Sequence, residues 1–243
     1  MIKNSAVQVI LSCLRGRFLF LLISILLLLI ISPLLDNFIG LKFLLNIFMT
    51  IILISGVYAV SQKKIYMLIT AVLALPLLAS LWSAYFVKIP YFQLTGQICG
   101  VLCMAFIVII ILSHIIRVKN VTADIIFGAI VVYLLMALMW NFMYLVLEDL
   151  HPGSFILPEG PIKDSRFLFI YFSFVTIATL GYGDITPLTA PACSLSILEA
   201  IIGQIYLVVV VAWLVGMFVS QSLVKNKQYN VINKKGGNYE NNI

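Results

Sequence analysis

The segment from Thr176 to Asp184, T-I-A-T-L-G-Y-G-D, places two threonines, two glycines and an aspartate between long apolar runs. Non-helical backbone at membrane depth persists only where protein or a water-filled cavity satisfies its polar groups. Gly181 and Gly183 can adopt left-handed conformations without steric cost, and a strand that alternates between right- and left-handed residues points its carbonyls to one side. A ring of such strands would offer oxygen cages to a dehydrated cation. These residue types therefore predict a segment that either lines a water-filled cavity or pore or is sealed by neighbouring protein.

Composition indicates which elements must position this segment. Hydrophobic residues make up 63% of the 243 residues and charged residues 10%, whereas soluble domains carry about 25% charged residues. We therefore predict an all-α, polytopic membrane protein. A transmembrane helix needs about 20 apolar residues, and six are predicted, at 18–32, 38–60, 65–87, 94–116, 124–147 and 191–223. The apolar stretch 165–178 is too short to span, so it predicts a re-entrant pore helix between the fifth and sixth spans.

The distribution of basic residues predicts the orientation. With a cytoplasmic N-terminus, eleven of the 15 Lys and Arg residues fall on the cytoplasmic side of this topology. Because basic residues favour cytoplasmic loops, we expect a multi-pass protein of the cell membrane with both termini in the cytoplasm. The net charge of +6 then follows from topology and from attraction to anionic lipid, and it needs no nucleic-acid partner.

The segment resembles the selectivity filter of potassium channels, T-x-x-T-x-G-Y-G-D, with Leu180 in place of the family's usual valine. The resemblance implies that K⁺ is held by the backbone carbonyls of Thr179, Leu180, Gly181 and Tyr182 and by the Thr179 hydroxyl, with Gly183 completing the filter. It also implies a homotetramer, since each chain supplies one filter strand and a closed ring needs four.

The same resemblance implies residues that support the filter. Tyr171 and Phe172 stand where many family members have two tryptophans, so both would surround the filter. Tyr171 either hydrogen-bonds Asp184 or packs as a plain aromatic side chain. Thr176 opens the motif.

Glu199 is the only acidic residue well inside the last predicted helix, and intramembrane carboxylates are functional candidates. It either braces the pore helix, by accepting a hydrogen bond from Ser173 or Thr176, or it enriches cations in the pore cavity.

Further along this helix, Gly203 lies where the family places a hinge glycine. A glycine inside a helix costs about 1 kcal/mol relative to alanine, so either a hinge or close packing against the pore helix is expected. Helical spacing from Gly203 predicts Leu207, Val211 and Val215 as pore-lining residues of an apolar gate, with Gln204 near the cavity.

Four domains are predicted along the chain. Residues 1–17 form an amphipathic segment on the inner leaflet, residues 18–116 a four-helix, sensor-like unit, residues 117–224 the pore domain, and residues 225–243 a disordered cytoplasmic tail. Positions 94–116 contain no Arg or Lys. Because steep voltage sensing needs several such charges, we expect a channel that is not strongly voltage-gated.

Several alternatives remain open at this stage. The chain could be a regulatory, non-conducting pore subunit of a heteromeric channel, or a K⁺ transporter subunit, although the filters of such transporters usually keep one glycine per repeat. Cys99 and Cys103 are i,i+4 neighbours that could hold a metal or simply pack. We expect no enzyme activity and no cofactor, with K⁺ only as the permeant ion. The expected partners are K⁺, the lipid bilayer and further copies of the chain, and any soluble regulator would be a separate chain.

Overall fold

The computed structural model describes residues 17–34, 40–61, 63–83, 90–118, 121–159 and 164–240. These ranges contain seven helices and two short strands. In chain order they are α1 Arg17–Leu34, α2 Leu41–Val60, α3 Lys64–Ser83, α4 Pro90–Arg117, α5 Ala123–Leu150, β1 Phe155–Ile156, α6 Ser165–Ile177, β2 Thr186–Pro187 and α7 Ala190–Glu240. The predicted amphipathic segment 1–17 lies outside the described residues except for Arg17, which begins α1.

Five helices of the described ranges are long and apolar enough to cross a membrane. They are α2, α3, α4, α5 and the Ala190–Gln221 part of α7. Helix α1 is apolar but shorter, over Phe18–Leu34, with Pro33 inside its last turn. The described part of the chain thus has five candidate spans, and the sixth stays a prediction.

Helices α1 to α4, which we call the four-helix unit, contact α5 of the same chain through α1 and α4. Glycines allow the close approaches. A Cβ at Gly128 would meet the Phe18 ring at 3.0 Å, and a Cβ at Gly100 would meet the Phe142 ring at 3.1 Å. Both distances are shorter than ordinary van der Waals contact, so α1 and α4 lie directly against α5.

The start of α5 is fixed by a side-chain cap. Thr122 Oγ1 accepts a hydrogen bond from the Ile125 N–H group at 3.4 Å, as expected of an N-cap threonine. Asp124, in the first turn of α5, accepts a hydrogen bond from the backbone N–H of Phe18 at 3.4 Å. Asp124 therefore joins the beginning of α1 to the beginning of α5.

A two-stranded antiparallel sheet corrects the all-α prediction. It pairs Phe155 with Pro187 and Ile156 with Thr186, and the Leu188 N–H group donates to the Ser154 carbonyl at 2.8 Å. Strands of two residues carry no alternating pattern, so sequence periodicity cannot reveal them. The sheet ties the loop after α5 to the chain that follows the T-I-A-T-L-G-Y-G-D segment.

The last helix continues to Glu240, so the structure has helix at residues 225–240, where the sequence predicts a disordered tail. Starting a helix is the costly step, whereas adding residues to an existing helix requires only propagation. The polar tail follows a long membrane helix directly and extends it. Residues 241–243 lie outside the described ranges.

Candidate functional site

Helix α6 is the short helix that precedes the T-I-A-T-L-G-Y-G-D segment. Asp164 caps its N-terminus by accepting from the Arg166 N–H group at 2.9 Å. At its other end, the Thr179 N–H donates to the Thr176 carbonyl at 2.9 Å and the Leu180 N–H to the Val175 carbonyl at 2.9 Å. Because α6 packs against both α5 and α7, it holds the start of the following segment between these two long helices.

Backbone handedness alternates along this segment. Thr179, Gly181 and Gly183 have φ angles of 57°, 54° and 79°, and Leu180 and Tyr182 lie between them. Thr179 is the single non-glycine residue with positive φ in the described ranges. An alternating backbone turns successive carbonyls to the same side, so the segment has the geometry of an oxygen-lined wall. The glycine positions were predicted, but the left-handed Thr179 was not.

Glu199 lies in a fully buried cluster behind α6. Its side chain is 0% exposed, its Oε2 accepts a hydrogen bond from the Tyr144 hydroxyl, and its Oε1 is hydrogen-bonded to Ser173 Oγ. The predicted contact with Ser173 is therefore present, whereas Thr176 bonds the Thr179 N–H through its carbonyl. The cluster links α5, α6 and α7 through one carboxyl group.

The number of protons at Ser173 indicates the state of this carboxyl group. Ser173 Oγ also lies 2.6 Å from the Ala137 carbonyl, and a serine hydroxyl has a single proton to donate. Every contact is satisfied when Ser173 donates to Ala137 and Glu199 carries a proton that it donates to Ser173. Glu199 then acts as a neutral connector of three helices, which agrees with the bracing alternative.

Tyr171 and Asp184 join α6 to the far end of the segment. The Tyr171 hydroxyl donates to Asp184 Oδ2 at 2.7 Å, which is one of the two alternatives predicted for Tyr171. Phe172 points elsewhere: its ring packs on Tyr144 at 5.1 Å and on Phe155 at 5.6 Å between centroids. Phe172 therefore connects α6 to α5 and β1, and Tyr171 is the aromatic residue in contact with the segment.

Gly203 lies against the C-terminal end of α6. A Cβ placed there would come within 2.6 Å of Ile177 Cγ1 and 2.9 Å of the Ile177 carbonyl oxygen. The same carbonyl accepts from the Tyr133 hydroxyl at 2.9 Å. Helix α7 runs through Gly203 without interruption. The close-packing alternative is therefore the one with contacts in the structure, and the hinge stays a prediction.

The remaining predicted residues of α7 divide into two groups. Gln204 Nε2 lies 3.5 Å from Thr179 Oγ1, near the end of α6. Leu207, Val211 and Val215 line an apolar cavity of about 530 Å³ between α5 and α7. Within one chain these three residues thus face the α5–α7 cavity, and their predicted place along a pore depends on other copies of the chain.

The cysteines of α4 lie in apolar surroundings. Cys103 is buried and its Sγ contacts the Thr70 carbonyl at 3.9 Å. Over the ranges that the structure describes, no group of three His, Cys, Asp or Glu residues is arranged to hold a metal ion. Packing is therefore the alternative that the contacts of Cys103 favour.

With this geometry established, the chain can be compared with known proteins. Residues 121–220 match the model of a family described as ion channel. The matched part contains α5, β1, α6, the T-I-A-T-L-G-Y-G-D segment and most of the apolar part of α7. No curated protein and no solved structure matches the chain. An ion-channel domain is therefore present in residues 121–220, and α1 to α4 lie outside it.

Proposed function

We propose that the protein is a K⁺-selective channel that conducts K⁺ passively across the cell membrane as a homotetramer. The observation that carries this proposal is the alternation of left-handed residues at Thr179, Gly181 and Gly183 within the T-I-A-T-L-G-Y-G-D motif. Such a backbone presents its carbonyl oxygens in a row, and rings of carbonyl oxygens can replace the hydration shell of K⁺.

The exposure of the segment supports an assembly of several chains. In one chain, Leu180 is 59% exposed and Tyr182 is 67% exposed, so a single chain leaves the segment uncovered. Backbone at membrane depth, however, needs polar partners or water. Four copies around an axis would turn the carbonyls toward a shared pore. Leu180 and Tyr182 would then point away from the axis and pack against neighbouring chains.

The direction of α6 supports cation binding at the same place. The C-terminal end of a helix carries partial negative charge from its unpaired carbonyls. Helix α6 ends at Ile177, two residues before Thr179. Its dipole therefore favours a cation near the inner end of the segment, where Thr179 and Gln204 meet.

The proposal is tested by measuring K⁺ and Na⁺ fluxes of the purified protein in liposomes, with Gly181→Ala as the test variant and Gly153→Ala as its control. Both glycines have positive φ, 54° and 84°, and a Cβ at either position would meet no atom within 4 Å. Each alanine thus carries a similar backbone strain of about 1–2 kcal/mol, but only Gly181 belongs to the segment.

We expect K⁺ flux far above Na⁺ flux for the wild type and for Gly153→Ala, and loss of K⁺ flux or of selectivity for Gly181→Ala. Equal K⁺ and Na⁺ fluxes in the wild type would contradict the selectivity. No flux from a properly assembled wild type would favour a regulatory subunit. Flux that requires a second ion gradient would favour a transporter subunit.

A further inference from the structure

Arg166 occupies an electrostatically unfavourable place at the first turn of α6. Helix N-termini favour negative charge, and the cap residue Asp164 supplies it. The Asp164 carboxylate also pairs with the Arg166 guanidinium group at 3.3 Å. The rest of the Arg166 side chain reaches away from α6. Its Nη1 donates to Asn46 Oδ1 at 2.8 Å, across 120 positions of sequence.

Asn46 continues this connection into the four-helix unit. It lies on α2, its side chain is 0% exposed, and its Nδ2 donates to the Leu81 carbonyl of α3 at 2.7 Å. A buried amide is costly unless it is hydrogen-bonded. Both ends of the Asn46 amide are used, one toward α3 and the other toward Arg166, so a continuous polar bridge runs from α3 through α2 to α6.

We propose that Arg166 and Asn46 are positioning residues through which the four-helix unit sets the place of α6 and of the ion-binding segment. This inference rests on the proposed K⁺ channel function. It gives the four-helix unit a role as a support of the pore, in a chain whose α4 has no Arg or Lys before its last residue, Arg117.

The geometry of α6 makes its N-terminal anchor effective. The helix has 13 residues, so at 1.5 Å per residue it is a rod of about 20 Å. Its far end holds the N–H groups of Thr179 and Leu180. A tilt of α6 at its Arg166 end therefore also moves its other end. Thr179 and Leu180 then shift relative to Gly203 and Tyr133, the residues that contact Ile177.

The test compares K⁺ and Na⁺ fluxes of Arg166→Met, Asn46→Leu and the double variant, at equal amounts of assembled protein. The matched control is Thr50→Val. Thr50 lies one turn beyond Asn46 on α2 and accepts from Trp82 Nε1 at 3.2 Å, so it joins α2 to α3 without the contact to α6. Arg166→Met is the variant that best preserves folding, because the Arg166 side chain is 25% exposed.

We expect each single variant to lower K⁺ flux about tenfold, which is the order of effect of losing a hydrogen bond to a charged group. Because the two residues act through one contact, the K⁺ flux of the double variant should lie within about twofold of the flux of the more impaired single variant. Thr50→Val should stay within about twofold of the wild type.

Two results would overturn the inference alone: unchanged flux in Arg166→Met, or a double-variant loss equal to the product of the single losses, in a wild type that conducts K⁺. A wild type that assembles but conducts no K⁺ would overturn the proposed function, and this inference with it. If Asn46→Leu does not assemble, Arg166→Met alone decides, with Arg166→Lys as the variant that keeps the charge and should recover part of the flux.

Discussion

The Tyr144 hydroxyl donates a hydrogen bond to Glu199 Oε2, and this contact joins α5 to α7 beside α6. Ser173 completes the cluster from α6. All three side chains are 0% exposed. Since α6 is held from both sides here, the cluster fixes the middle of α6, while Arg166 holds one end and Gly203 borders the other.

The first prediction concerns the proton on Glu199. Glu199→Gln should leave K⁺ flux and thermal stability close to those of the wild type, because a glutamine amide can donate to Ser173 while its carbonyl accepts from Tyr144. Glu199→Leu should destabilise the protein by about 1–3 kcal/mol, since it leaves the buried Tyr144 hydroxyl without its acceptor. Thermal unfolding in detergent and liposome flux measure the two effects.

A different outcome for Glu199→Gln would assign the residue another role. If its single-channel conductance falls while assembly is normal, Glu199 concentrates cations by its charge and does not brace α6. Glu148→Gln serves as the comparison, because Glu148 is a half-buried carboxylate that accepts from the Gly153 N–H group at 2.7 Å, outside the cluster.

The second prediction distinguishes close packing from a hinge at Gly203. An added methyl group would lie 2.9 Å from the Ile177 backbone oxygen, and overpacking of this kind typically costs about 1–3 kcal/mol. Gly203→Ala should therefore lower the thermal stability of the assembled protein. Differential scanning fluorimetry in detergent is the measurement.

Gly216→Ala is the matched control on the same helix. A Cβ at Gly216 would meet nothing within 4 Å, and alanine favours a helix over glycine by about 1 kcal/mol, so Gly216→Ala should be neutral or stabilising. A pure hinge at Gly203 would give the opposite pattern: unchanged or higher stability of Gly203→Ala, with an altered open probability.

The sequence predicts well those features that depend on local patterns. Long apolar runs indicated five helices that the structure also has as candidate spans, and the spacing of Gly181 and Gly183 indicated the left-handed positions of the segment. In each case the physical requirement is local. A span needs a long apolar run, and a left-handed position favours glycine, so the residue types at those positions indicate the structure.

Beyond Ser173–Glu199 and Tyr171–Asp184, which the sequence offered as alternatives, contacts between distant residues could not be predicted. Tyr144 precedes Glu199 by 55 positions and stands in an apolar helix where an aromatic side chain suggests ordinary core packing. The Asn46–Arg166 contact joins two predicted domains. Thr179 shows another limit, because threonine rarely adopts positive φ and nothing in its own chemistry predicts it.

The third prediction concerns Tyr171 and Asp184. Tyr171→Phe removes the hydrogen bond to Asp184 Oδ2 but keeps the ring, so its effect on overall stability should be at most about 1 kcal/mol. The outer end of the segment loses its tie to α6, and we expect K⁺ currents that decay faster during sustained opening. Current recordings from planar bilayers measure the decay, and an unchanged time course would contradict this role.

The fourth prediction concerns voltage. Moving one elementary charge through the membrane field changes the energy by about 2.3 kcal/mol per 100 mV, so steep gating needs several basic residues within a moving helix. Positions 94–116 of α4 contain none, and Arg117 ends the helix next to His114 in the last turn. Open probability should therefore change only gradually with voltage, by less than the equivalent of about one charge per subunit. Recordings over a wide voltage range test this, and a slope that requires several charges would show that basic residues outside α4 move through the field.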